Sequence, residues 1–131
     1  MVINLSEEHS LISNWVSELR DIEVQDDRLR FRCNLERIGE VAGYEISKKL
    51  SWVEKEITTP LGTSSCKVLE KQPVLATILR AGLPMHQGLL NYFDKADNAF
   101  ISIVFTVSAD KRIVSFVKII KKTVVHRQSR P

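Results

Sequence analysis

The sequence has few cysteines and no long hydrophobic run. Its 131 residues include two isolated cysteines, Cys33 and Cys66, so neither a disulfide framework nor a four-ligand zinc site can be built from them. The longest apolar runs, such as 74–79 and 100–107, are far shorter than the roughly 18 to 20 residues of a membrane span. The first residues also lack the basic start and apolar stretch of a secretory signal. We therefore expect a reduced, cytoplasmic protein without a membrane segment.

Positive charge is in excess only in the last quarter of the chain. Residues 1–100 carry 12 basic and 15 acidic residues, a net charge of −3, whereas residues 101–131 carry seven basic and one acidic residue, a net charge of +6. The composition, 44% hydrophobic and 27% charged, is typical of one soluble globular domain. The formal charge of +3 therefore has to be interpreted separately for these two parts.

Hydrophobic periodicity predicts two amphipathic helices in the first fifty residues. Ser6 is a typical N-cap residue, and the first helix is predicted over 7–20. A second, longer helix is predicted after Asp26 and Asp27. The apolar positions are Leu11, Ile12, Trp15, Val16 and Leu19 in the first helix and Phe31, Leu35, Ile38, Ala42, Ile46 and Leu50 in the second.

Turn chemistry predicts two hairpins. The sequence Thr-Thr-Pro-Leu-Gly at 58–62 separates segments 52–57 and 66–69, which predicts a hairpin or short β arm. Near the end of the chain, 101–107 and 113–120 are predicted to pair as a second hairpin.

A βαβ unit is predicted between the two hairpins. Segment 74–79 is almost continuously apolar, which is typical of a parallel strand buried on both faces. A short loop leads to Pro84, which suits the first turn of a helix, and a further strand begins near Ala99 or Phe100. Residues 74–105 therefore have the outline of a parallel βαβ unit, and the predicted fold class is α/β.

The loop between this strand and its helix holds the clearest candidate chemistry. Ligands of open parallel sheets bind beyond the carboxyl ends of the strands, where a helix amino terminus offers free amide donors. Arg80 stands there and can hold two phosphate oxygens, and Gly82 lets the backbone approach a ligand. The pattern predicts a phosphate or pyrophosphate site, but it leaves open that Arg80 only ends a strand and Gly82 only makes a turn. His86 has no partner at ligand spacing and is interpreted as a helix-start residue.

Three segments, taken in order, resemble the uracil phosphoribosyltransferases. They are 30–45, the turn at 58–62 and the strand, loop and helix start at 74–88, and the similarity covers roughly residues 1–102. The resemblance implies an incomplete phosphoribosyltransferase-type parallel sheet of Rossmann-like architecture, with amino-terminal helices and a small β arm.

The resemblance also implies an activity. Members of this family transfer ribose 5-phosphate from 5-phosphoribosyl 1-diphosphate (PRPP), with Mg²⁺, to N1 of uracil, giving UMP and pyrophosphate in pyrimidine salvage. Arg80 and the backbone amides of Ala81 and Gly82 would line the pyrophosphate. Arg30 and Arg32 are candidate phosphate or effector contacts, or else solvated charges beside a helix. The resemblance further implies a homo-oligomer and raises GTP as an effector; no residue here is assigned as a catalytic group or a metal ligand.

The sequence departs from the family pattern in its second half. The last glycine is Gly88, so neither the glycine-bearing loop that holds the 5-phosphate in the family, of the type Asp-Pro-Met-Leu-Ala-Thr-Gly, nor the carboxy-terminal uracil-reading segment is present. We therefore expect residues 1–102 to be the amino-terminal portion of a phosphoribosyltransferase domain, and 103–131 to be a divergent basic tail, for which a frameshift is one hypothesis.

Because of this departure, we expect the chain alone to be inactive as an enzyme. The alternatives are a non-catalytic fragment that keeps half a PRPP site, and a basic interaction module that acts through the tail. Nucleic-acid binding is not expected, because the tail has two aromatic residues and no nucleic-acid motif. Half of a parallel sheet should also expose apolar surface and self-associate.

Overall fold

The computed structural model describes residues 4–7, 9–107 and 113–120, with side chains up to residue 102. Two helices come first, followed by a two-stranded antiparallel sheet and a three-stranded mixed sheet, which confirms the predicted α/β class. No described helix is long and apolar enough to cross a membrane. The elements are α1 (Leu11–Arg20), α2 (Arg28–Ser47), β1 (Trp52–Thr59), β2 (Gly62–Leu69), β3 (Val74–Leu79), α3 (Leu83–Tyr92), β4 (Asp97–Val107) and β5 (Ile113–Ile120).

The first helix is shorter than its periodicity predicts. It begins at Leu11, with Ser10 and not Ser6 in the N-cap position, so the predicted start at residue 7 is wrong by about one turn. The side-chain oxygen of Asn4 accepts hydrogen bonds from the backbone N–H of Ser6 at 3.2 Å and from its hydroxyl at 2.7 Å. Because Ser6 is held in this local turn, it does not cap a helix.

The second helix begins with a side-chain cap and is joined to the first by a buried amide. Oδ1 of Asp27 accepts hydrogen bonds from the N–H groups of Leu29 at 3.1 Å and Arg30 at 3.0 Å, which pairs two amides that the helix itself leaves free. Asn34 is 1% exposed, and its Nδ2 donates to the carboxylate of Glu18 on α1 at 2.8 Å. The buried side of α2 therefore includes a polar contact to α1.

Two of the six positions in the predicted apolar stripe of the second helix are exposed. Phe31 is 37% exposed and Ile46 is 45% exposed, whereas the buried residues of the helix are Asn34, Gly39 and Gly43. Hydrophobicity does not select this face. Asn34 is buried against α1, and the two buried glycines are small because their partner helix comes too close for large side chains.

The close partner of α2 is α3. A Cβ built on Gly39 would collide with the carbonyl oxygen of Met85 and come within 3.3 Å of Gly88. One turn later, a Cβ built on Gly43 would only touch the side chains of Tyr92, at 3.4 Å, and Leu89. The two helices therefore run in the same direction and cross most closely near Gly39.

The predicted β arm is confirmed. Strands β1 and β2 pair antiparallel up to Thr59 and Gly62. Gly62 has a φ of +133°, a backbone conformation that favours glycine. The hydroxyl of Thr59 donates a hydrogen bond to the carbonyl of Gly62 at 2.7 Å. Among the described elements the two strands pair only with each other, and Nε1 of Trp52 joins the base of the arm to α2 by donating to the carbonyl of Ser47 at 3.1 Å.

The predicted βαβ unit and the predicted second hairpin are also confirmed. Strand β3, helix α3 and strand β4 follow one another, and β3 pairs in parallel with β4. Strand β4 begins at Asp97, two residues before Ala99, which is the earlier of the two expected starts. Strand β5 pairs antiparallel with β4, with Val107 opposite Ile113; the residues between the two strands, 108–112, lie outside the described residues.

Burial of β3 on both faces was predicted and is wrong. Leu75 is 8% exposed and forms the core with Phe93 and Ala96, but Val74 is 65% exposed and Ile78 is 52% exposed. Alternate residues of a strand point to opposite faces. Helix α3 covers one face of β3, and no helix within the described ranges covers the other. The strand is therefore exposed on one face, although its apolar sequence is typical of a strand buried on both faces.

Candidate functional site

A tight loop joins β3 to α3 at the carboxyl edge of the sheet. The strand ends at Leu79 and the helix begins at Leu83, with Gly82 as its N-cap residue. Arg80 is the first residue beyond the strand, and the Leu79–Arg80 peptide bond is cis. The N–H of Leu83 donates to the carbonyl of Arg80 at 3.2 Å, which closes the loop. Arg80 therefore follows the carboxyl end of a parallel strand, as predicted, and its contact with a ligand stays a prediction.

Two groups of this loop are open to a ligand. Arg80 is exposed, and within the described part of the chain its guanidinium makes no hydrogen bond or ion pair. The N–H of Ala81 likewise has no partner among the described residues, but that of Gly82 donates to the carbonyl of Ile78 at 3.0 Å. In this conformation the open donors are therefore the Arg80 guanidinium and the Ala81 amide.

Gly82 packs closely against its own strand. Its φ of −76° is accessible to any residue, so conformational freedom does not explain the glycine. A Cβ at this position would collide with the hydroxyl of Thr77 and lie 3.0 Å from the carbonyl of Ile78. A side chain here would require the Thr77 side chain to move and would press against the carbonyl of Ile78.

The two arginines near the start of α2 have different surroundings. Arg30 lies 3.5 Å from the Glu18 carboxylate and 3.8 Å from that of Asp27, so its charge is already paired. Arg32 is exposed and lines a groove beside Leu83, without an ion pair within the described ranges. Neither guanidinium makes a hydrogen bond or ion pair with the Arg80 loop.

A groove of about 820 Å³ lies between the start of α2, the start of α3 and β4. Its apolar lining includes Leu90 and Phe100, and its polar lining includes His86 and Asn98. Nε2 of His86 and Oδ1 of Asn98 are buried without a partner among the described residues. One signal for this pair is visible in the sequence: Asn98 is a polar residue near the start of an apolar strand. Among the described residues, no group of three histidine, cysteine or acidic side chains could hold a metal ion.

Comparison with known proteins identifies the family. The family model of uracil phosphoribosyltransferase matches residues 6–128 of this chain. The chain belongs to the uracil phosphoribosyltransferase family. A uracil phosphoribosyltransferase from Porphyromonas gingivalis is 58% identical over 101 residues, which cover 77% of this chain and 47% of the relative. One from Acholeplasma laidlawii is 40% identical over 81 residues, or 62% of this chain and 38% of the relative.

A solved structure has a similar fold. The AQ2163 protein from Aquifex aeolicus superposes with a TM-score of 0.69 at 26% identity, over 93% of this chain and 55% of that protein. This chain spans about half the length of the uracil phosphoribosyltransferases it matches. The family model extends beyond residue 102 to residue 128, so the boundary near 102 and the foreign origin of the tail stay predictions.

Proposed function

We propose that this chain carries the pyrophosphate-binding half of a cytoplasmic uracil phosphoribosyltransferase. The reaction breaks the bond between C1 of the ribose of PRPP and its pyrophosphate, and forms a bond from that carbon to N1 of uracil. The observation that carries the proposal is the Arg80 loop, which presents an open guanidinium and an open amide beyond the carboxyl end of β3.

In this reaction, the loop acts on the leaving group. Negative charge collects on the pyrophosphate as its bond to the ribose lengthens, and fixed donors aimed at that charge lower the barrier. The Arg80 guanidinium can donate two parallel hydrogen bonds to phosphate oxygens, and the Ala81 amide adds a third donor. The small size of Gly82 lets the loop lie close against Thr77. The contribution of this half is therefore to bind and orient the pyrophosphate.

The family also implies Mg²⁺, which supplies further neutralisation of phosphate charge when it is bound. Mg²⁺ usually binds through substrate phosphates and one or two carboxylates. No cluster of three ligating side chains is present in the described part of the chain, so PRPP oxygens are the proposed ligands and no step is assigned to the ion.

The proposed partners other than the substrates are a second copy and a nucleotide effector. The exposed apolar face of β3, which includes Val74 and Ile78, supports self-association. For an effector such as GTP, or for a further phosphate, we propose Arg32 as the contact in preference to Arg30, because the charge of Arg30 is already paired with Glu18 and Asp27.

The chain alone is expected to make no UMP. Its sequence has no loop for the 5-phosphate after Gly88 and no uracil-reading segment, so the nucleophile and half of PRPP have no binding groups and the reactants are not held together. The measurement is the rate of UMP formation from uracil and PRPP, compared between the purified 131-residue protein and a full-length relative. Turnover close to that of the relative would contradict this expectation.

Binding of Mg²⁺–pyrophosphate is expected even without turnover, and it should depend on Arg80. Losing a charged, bidentate contact costs about 1.5–3 kcal/mol, so Arg80→Ala should weaken binding roughly 10- to 100-fold in titration calorimetry. Arg80→Lys keeps the charge but not the paired geometry, so its affinity should be intermediate.

The matched control for Arg80 is Arg20→Ala, which removes an exposed arginine at the end of α1. It should bind pyrophosphate as the unmodified chain does. Equal affinity of the Arg80→Ala variant and the unmodified chain would remove the observation on which the proposed function depends.

A further inference from the structure

One face of the three-stranded sheet is apolar and uncovered. Among the described helices only α3 contacts β3, and it lies on the opposite face. On the uncovered face, Val74 is 65% exposed and Ile78 is 52% exposed, and Ala76 between them is exposed as well. The face continues onto β4, because Ala76 lies beside Ala99 and Ile78 beside Ile101. A contiguous apolar surface of this kind marks a contact with another polypeptide.

The same strand has a free edge. The strand order is β3-β4-β5, so β3 pairs along one edge only among the described strands. Alternate N–H and C=O groups of 74–79 therefore point away from the sheet with no strand to pair with. Native proteins protect such edges with charged residues or proline, but 74–79 contains neither. Strand β3 thus lacks two things, a neighbouring strand on one side and a covering layer on one face.

A second copy of this chain can supply only one of the two. Pairing of two β3 edges about a twofold axis would satisfy the backbone groups but leave both apolar faces uncovered. Packing of the two faces against each other would bury Val74 and Ile78 but leave both edges unpaired. A polypeptide that adds a strand beside β3 and a helix across its open face supplies both, and parallel sheets are normally covered by helices in this way. Self-association therefore satisfies this surface only in part.

The comparison with relatives indicates the source of such a polypeptide. This chain matches 47% of the Porphyromonas gingivalis enzyme, and the part of that enzyme that it does not match is called the complementary half below. We propose that the uncovered face and free edge of β3 bind the complementary half as a separate polypeptide. This chain has no glycine-bearing loop for the 5-phosphate after Gly88, so the two polypeptides would carry different parts of one PRPP site. The inference deepens the proposed function, on which it rests for the identity of the partner.

The first test is co-expression of the 131-residue chain with the complementary half, which alone carries an affinity tag. The two should be recovered together and sediment as a complex of one copy of each. Interfaces that resemble a domain core cut in half are large and apolar, so dilution of the complex should give a dissociation constant of about 1 µM or below. Recovery of the complementary half without the 131-residue chain, or of neither in soluble form, would overturn the proposal.

Hydrogen exchange shows which polypeptide pairs with the free edge. The amides of 74–79 that point away from β4 should exchange quickly in the 131-residue chain alone. In the complex they should exchange at least about tenfold more slowly, because amides paired within a sheet are protected. Protection that is already complete in the chain alone, and that the complementary half does not change, would assign the edge to a second copy and contradict the proposal.

Matched double variants test the apolar face. Val74→Thr with Ile78→Thr removes apolar groups from the face but keeps the β-branched shape that strands favour, so affinity for the complementary half should fall about 10- to 100-fold. The control, Val53→Thr with Ile57→Thr, makes the same two changes at exposed positions of β1 and should leave affinity unchanged. Equal affinity of the two double variants would show that the uncovered face of β3 is not the contact.

The Arg80→Ala variant separates this inference from the proposed pyrophosphate site. Arg80 lies beyond the end of β3 and outside the apolar face, so the variant should bind the complementary half with unchanged affinity while it loses affinity for Mg²⁺–pyrophosphate. Failure of the complex to form would leave the pyrophosphate measurement intact, and equal pyrophosphate binding with and without Arg80 would leave the complex intact. The two proposals can therefore fail separately.

Discussion

Replacing Gly88 with alanine is expected to lower the free energy of unfolding by about 2–3 kcal/mol, because the added methyl group has no room. A Cβ on Gly88 would collide with the carbonyl oxygen of Glu36 and lie 2.9 Å from the backbone nitrogen of Glu40. Both atoms belong to the backbone of α2, so relief requires the two helices to separate. Separation would reduce packing along the whole contact, including the hydrogen bond from Asn91 to the Glu40 carboxylate at 2.7 Å.

The matched control is Gly43→Ala in the same helix pair. Its Cβ would meet only the side chains of Tyr92, at 3.4 Å, and Leu89, at 3.6 Å, which are ordinary contact distances. Alanine is favoured over glycine inside a helix by about 1 kcal/mol, so this variant should be neutral or slightly more stable. Thermal unfolding followed by circular dichroism should show a midpoint lowered by roughly 10 °C for Gly88→Ala and not for Gly43→Ala. Equal midpoints would show that the helices do not approach as closely as the structure describes.

The packing of Gly39 and Gly43 against α3 could not be predicted from hydrophobic periodicity. Elements whose signal is local were predicted correctly: the turn before Gly62, the strand and helix around Arg80, and the second hairpin. The buried side of α2 was not, because Gly39 and Gly43 give no hydrophobic signal. Their burial is decided by the approach of α3, a contact between residues some fifty positions apart.

The candidate site could also be predicted only where its signal is local in the sequence. Arg80 was found because the carboxyl end of a parallel strand is a position that local sequence can indicate. The predicted role of Gly82 in ligand approach stays a prediction, whereas its close packing against Thr77 could not be predicted from local sequence. The groove was missed because His86 and Asn98 lie on different elements, and only the pairing of β3 with β4 and the packing of α3 bring them together.

The two faces of β3 should respond in opposite ways to substitution. Leu75 is 8% exposed in the core under α3, and Leu75→Ala is expected to cost about 2–5 kcal/mol and to unfold much of the protein. Ile78, three residues along the strand, is 52% exposed on the uncovered face. Threonine keeps the β-branched shape that strands favour, so Val74→Thr with Ile78→Thr should leave the protein folded. A cooperative unfolding transition that survives in the double variant and is lost in Leu75→Ala is the expected result.

The same double variant tests how the chain self-associates. If the uncovered face of β3 is the contact, the unmodified chain should sediment as an oligomer and the Val74→Thr, Ile78→Thr variant as a monomer at equal concentration. The competing cause is attraction between the acidic first hundred residues, at −3, and the basic remainder, at +6. Salt separates the two, because sodium sulfate strengthens apolar association and screens attraction between exposed charges. An oligomer that dissociates as sulfate is raised, and that the double variant retains, would assign the contact to charge and not to the exposed sheet.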